Sequence, residues 1–90
     1  MRRVEDALNK EMKDRSFARA YSEERMRLEI AHRMAEARHK HHLSQTTVAH
    51  RMGVTPQAVS RMEKGLLNLT LGSIYKYAKA VREPLVITIG

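Results

Sequence analysis

Leu43-Ser44-Gln45-Thr46-Thr47-Val48-Ala49-His50-Arg51-Met52-Gly53-Val54-Thr55-Pro56-Gln57-Ala58-Val59-Ser60-Arg61-Met62-Glu63-Lys64-Gly65 is the stretch that decides the fold. Ser44 is a good N-cap, because its hydroxyl can accept an orphan backbone N–H of the first helical turn. Val48, Ala49 and Met52 then mark a buried face. Gly53 can take the left-handed conformation that stops a helix and that a Cβ would resist. Thr55 caps again, and Pro56 falls at the first helical position, where its missing N–H costs nothing. Val59 and Met62 are the buried pair of the second helix, and Gly65 closes it. Two short helices therefore meet across a turn too brief for an antiparallel hairpin, so they cross at a large angle. Gln57, Ala58, Ser60 and Arg61 are left pointing outward.

Working outward, the chain reads as helical almost throughout. Ser22 resembles a helix start, and the helix is expected to run to about His42, with Ile30, Met34, Ala37 and His41 on one stripe. Residues 1–21 show a thinner apolar pattern, with Val4 and Leu8, then Phe17 and Tyr21, spaced i,i+4. After an apparent helix that includes Ile74, Ala78 and Val81, Leu85-Val86-Ile87-Thr88-Ile89 is rich in β-branched residues and reads as one short strand. The expected organisation is an N-terminal helical extension (1–21), a helical domain (22–82) and a C-terminal strand (83–90).

Composition limits what such a chain can do. Ninety residues make one domain. There is no cysteine, which removes disulfides, thiolate chemistry and Cys-type zinc sites. No run approaches the ~18 apolar residues of a membrane span, so a cytoplasmic protein without membrane contact is expected. Residues 37–82 hold eight Lys/Arg and a single acid, Glu63, whereas residues 1–36 hold nine Lys/Arg and eight Asp/Glu. The whole net charge of +7 is thus gathered in the middle of the chain. A basic surface of this kind suits a polyanion, nucleic acid being the commonest, and the alternative is a solvated basic face. His39 and His42 have a metal-compatible spacing, but they lie at a helix end, where cations are favoured anyway. No metal or cofactor is expected, and no catalytic constellation stands out.

Residues 43–65 resemble the helix-turn-helix of the Cro/C1-type (XRE) family. The shared pattern is carried by Leu43, Ser44, Gln45, Val48, Ala49, Gly53, Val54, Thr55, Val59, Ser60, Glu63 and Gly65. Asn68-Leu69-Thr70-Leu71, followed by Ile74, Ala78 and Val81, resembles that family's fourth and fifth helices. Two departures stand out: Thr47 where a Glu commonly completes a capping box, and His41 where a Leu-like residue is common. The resemblance implies an all-α, five-helix domain that binds DNA. It implies base contacts from Gln57, Ala58 and Arg61, and backbone contacts from Gln45, Thr55 and Lys64. It also implies a structural ion pair between Arg38 and Glu63. The chemistry fits, since Gln pairs bidentately with adenine, Arg with guanine, and a small Ala meets a thymine methyl. The alternative for the polar side chains is plain solvation.

The strand has no second strand in the chain to pair with, and an open apolar edge invites association. Pairing with the same strand in a second copy is the expected solution, giving a homodimer that reads a near-palindromic operator. Packing of the tail on the chain's own helices is the alternative. The layout as a whole, with an N-terminal extension and a Pro-Leu-Val-Ile-Thr-Ile end, is similar to HigA-type antitoxins of toxin–antitoxin operons. That likeness implies a repressor that also neutralises a co-encoded toxin, with Val4, Leu8, Phe17 and Tyr21 as its anchors. A phage-type or metabolic repressor without a toxin is the alternative. A small RNA-binding protein is disfavoured by the lack of stacking aromatics.

Overall fold

The computed structural model describes residues 16–89, with side chains from residue 22 onward. Four helices follow one another: α1 (Ser16–Lys40), α2 (Gln45–Met52), α3 (Pro56–Glu63) and α4 (Leu71–Val81). Helix α1 does not begin at Ser22. No Gly or Pro interrupts residues 16–40, and Glu23, Glu24 and Arg25 are all good helix formers, so the helix runs straight through that serine.

The two short helices are bounded by chemistry local to them. Ser44 Oγ accepts from Thr47 N at 3.0 Å, and Gly53 at φ 74° ends α2. Thr55 Oγ1 accepts from Ala58 N at 3.1 Å, with Pro56 in the first turn of α3. Gly65 closes α3 at φ 70° for a second reason as well. A Cβ there would lie 2.6 Å from Leu28 Cδ2, so any larger residue would also have to push the exposed Leu28 side chain of α1 aside. Arg27 Nε donates to Gly65 O at 3.0 Å and fixes the crossing of α1 and the end of α3.

Residues 66–82 contain one helix, α4, instead of the two that the resemblance implies. Thr70 and Ser73 make a reciprocal capping box that starts α4 at Leu71, while residues 66–70 have no such start. Arg82, left-handed at φ 61°, ends it, and Pro84 blocks any continuation. Residues 83–89 contain neither helix nor strand within the single chain.

The core joins all four helices. Val48, Val59, Tyr77 and Val81 are fully buried, with Met34, Ala49, Met62 and Ala80 around them. Each fully buried side chain of this size stabilises the fold by roughly 1.5–3 kcal/mol. On α1 the inward stripe is Ala31, Met34 and Arg38. Ile30 and Ala37 flank it half-buried, and His41 is exposed. A charged residue thus occupies the place in α1 where the helical period calls for an apolar one.

Candidate nucleic-acid interface

Glu63, the last residue of α3, sits at the centre of the molecule with its side chain 5% exposed. Its carboxylate accepts four hydrogen bonds. Arg38 of α1 is bidentate, with Nε to Oε2 at 2.7 Å and Nη2 to Oε1 at 2.8 Å. Gln45 Nε2 of α2 donates to Oε1 at 3.1 Å, and the Tyr77 hydroxyl of α4 donates to Oε2 at 2.6 Å. One carboxylate therefore receives donors from the three other helices. Arg38 is completed by Nη1 donating to Leu43 O at 2.9 Å, in the turn that leads to α2. Among the described residues no buried side-chain polar atom lacks a partner.

The electrostatics follow from this saturation. Burial pushes the Glu63 carboxyl upward, but the hydrogen bonds from Arg38, Tyr77 and Gln45 outweigh it and hold the group below the ordinary carboxyl range. The bond to Glu63 raises Arg38 further above its ordinary value. Burial, and then the bond to Glu63, drive the Tyr77 phenol well above the usual tyrosine range. The Tyr77 oxygen also lies 2.8 Å from Met34 O. Its single proton serves the charged acceptor best, since charge-assisted hydrogen bonds are the stronger.

This hub anchors the inner side of α3 and leaves its outer side clear. Gln57, Arg61 and Lys64 are exposed. Their i, i+4, i+7 spacing sets them on one stripe. Neither Arg61 nor Lys64 has an ion-pair partner among the described residues. Thr55 is exposed at the helix start, although its hydroxyl is engaged in the cap. Ala58 is half-buried beside the stripe, so it presents less of its methyl than a fully outward position would. Gln45 stands apart from the stripe, half-buried and tied to Glu63. Its carboxamide spends one N–H there and keeps the other N–H and its oxygen.

The remaining candidates are scattered. Leu85 is half-buried, and Val86, Ile87, Thr88 and Ile89 are exposed. Leu85, Val86 and Ile87 line an apolar groove of about 520 Å³ with α1 and α4. Val4 and Leu8 lie outside the described residues. Phe17 and Tyr21 fall in the first turns of α1, where only the backbone is described. Sequence reasoning missed Tyr77. The signal was present, because a tyrosine on the buried stripe of α4 needs an acceptor for its hydroxyl. Glu63 is the only acid in residues 37–82.

A short helix clamped from behind, carrying a free polar and basic stripe and preceded by a capped helix and a glycine turn, is the geometry of a module that lays one helix in a DNA groove. A family model described as helix-turn-helix matches residues 34–87. The chain belongs to that family, the XRE or Cro/C1 type of DNA-binding regulators. No curated protein and no solved structure matches the chain. Among the described residues no helix is long and apolar enough to cross a membrane.

Proposed function

We propose that the chain is a transcriptional repressor that binds a near-palindromic operator as a homodimer, and that it is the antitoxin of a toxin–antitoxin operon. It works in the cytoplasm, where its DNA is. The observation that carries the DNA-reading part is the Gln57–Arg61–Lys64 stripe on a helix anchored by Glu63. Gln57, Ala58 and Arg61 read base edges. Gln45, Thr55 and Lys64 hold the phosphate backbone, and the Arg38–Glu63 pair sets the angle of the reading helix.

Dimerisation is assigned to Leu85–Ile89. Backbone hydrogen bonding within the chain reaches Glu83 N, which donates to Ala78 O at 3.0 Å, and no described bond engages residues 84–89 beyond it. A β-branched segment with its backbone groups free and Val86, Ile87 and Ile89 exposed is a ready template for a second strand. The toxin contact is assigned to residues 1–21 through Val4, Leu8, Phe17 and Tyr21, as a helix laid in a groove. The division of the chain is thus 1–21 for a partner, 22–82 for DNA and 83–90 for the second copy.

Two truncations test the division. Removing residues 84–90 gives monomers in light scattering and a large loss of affinity for the DNA upstream of the chain's own reading frame, since a monomer reads half a site. Removing residues 1–21 leaves the dimer and DNA binding close to intact and abolishes capture of the protein encoded next to it. A dimer that survives the first truncation refutes the strand assignment. A neighbouring gene product that ignores the full-length chain leaves the plain repressor.

A further inference from the structure

Helix α2 has two ends, and only the one at Gln45 belongs to the hub. At the other end Arg51, together with Lys76 and Lys79 of α4 and its cap residue Arg82, lines a cleft of about 520 Å³ that also includes Met52 and Ala80. All four cations are exposed, and none has an ion-pair partner among the described residues. The acid next in sequence does not neutralise them. Glu83 turns its carboxylate to the end of α1, 3.0 Å from Lys40 Nζ and 2.7 Å from His41 Nε2. Arg51 is already oriented, because its Nη1 donates to Ala80 O at 2.7 Å. The rest of its N–H fork remains available.

Cations are favoured near the C-terminal ends of helices, which accounts for Arg51 and Lys79 taken singly. It does not account for Lys76, in mid-helix, or for the convergence of the two ends on one cleft. Arg82 adds an independent observation. It sits at φ 61°, ψ 40°, in the left-handed cap position that glycine fills most easily. A long cation is thus held at the cleft in a conformation that costs the backbone something, a pattern associated with function.

We propose that this cleft is a second phosphate-binding surface, which grips the sugar–phosphate backbone of DNA outside the half-site read by α3. The inference rests on the DNA-binding reading above and extends its footprint. Lys76, Lys79 and the cap residue Arg82 follow one another at three-residue steps, the two lysines about 4.5 Å apart along the helix axis. A row suits a linear polyanion better than a compact one. No aromatic side chain lines the cleft to stack a base. The contact is therefore to phosphates and indifferent to sequence, and it strengthens every duplex alike.

The test uses the full chain with Lys76→Gln, Lys79→Gln and Arg82→Gly combined. Glutamine keeps the helix propensity of lysine, and glycine relieves the left-handed cap, so the thermal midpoint stays close to that of the parent. Affinity for a mixed-sequence duplex of about 40 base pairs is measured across a salt series; the expected slope of log K against log salt is shallower by about two to three units. An unchanged slope, with wild-type binding intact, overturns the proposal. Tripolyphosphate is the second probe. If it binds the parent and not the variant while the duplex slope is unchanged, the cleft holds a free phosphate ligand and the DNA assignment is wrong. A parent that binds no duplex at all refutes the DNA-binding reading itself, which keeps the two failures apart.

Discussion

Glu63 and Glu83 are the only acids after residue 36, and both are held by the C-terminal end of α1. Glu63 draws donors from the three other helices, Arg38 of α1 among them, into a dry centre, with its side chain 5% exposed. Glu83 takes Lys40 and His41 at the start of the tail, with its side chain 26% exposed. Both carboxyls are held below their ordinary range, Glu83 by hydrogen bonds from His41 and then Lys40. The same chemistry serves different ends. In the dry site each donor left without its acceptor is costly, whereas at the surface water replaces what is lost.

The largest effect is expected from Glu63→Ala. It strands the buried Arg38 guanidinium and frees the Tyr77 hydroxyl and the Gln45 carboxamide at once. Removing one partner of a buried pair costs about 3–5 kcal/mol. In a domain of this size that lowers Tm by more than about 10 °C. A melt indistinguishable from the parent's would remove the hub from the account.

Acid should do the same reversibly. The Glu63 carboxyl binds its proton less readily in the folded state than in the unfolded chain. Its contribution is therefore present above the ordinary carboxyl value and is lost as pH falls through the depressed one. Denaturant midpoints measured downward from neutrality should fall in that window, and the fall should be smaller in Glu63→Gln. Tyr77 works in the opposite sense. Its raised value means that stability is present below the ordinary phenol range and lost only above it.

Tyr77→Phe keeps the ring and removes one donor from Glu63, so a loss of about 1–2 kcal/mol is expected, seen as a lower denaturant midpoint with an unchanged m-value. Glu83→Gln is the smallest change. Its midpoint should match the parent's within error, and a loss comparable to that of Tyr77→Phe would show that the tail joint is structural after all.

Much of this was readable from residues 43–65. Ser44, Gly53, Thr55, Pro56 and Gly65 bound two helices by local backbone chemistry, so their limits depend little on the rest of the chain. What was misread depends on tertiary or intermolecular context. The start of α1 lacks a breaker, so Ser22 looked like a cap and was not one. The resemblance implies two helices in residues 66–82, but only Thr70 and Ser73 supply a start. His41 fits an apolar stripe by period, yet it faces Glu83, a partner 42 residues away. Residues 84–89 form no strand within one chain, and the strand reading stands only with the proposed dimer. At the site, the resemblance supplied Arg38 with Glu63, while Gln45 and Tyr77 as further donors depend on how four helices converge, which no local pattern contains.

The central claim is that a clamped α3 presents Arg61 to base edges. Arg61→Ala, measured against the selected operator and a random duplex at one salt concentration, tests it most directly. The account predicts a loss of ~1–3 kcal/mol on the operator, relaxed preference at one base pair, and nearly unchanged affinity for random DNA. Equal weakening of both duplexes would contradict it, because Arg61 would then be a phosphate contact and the reading face would lie elsewhere.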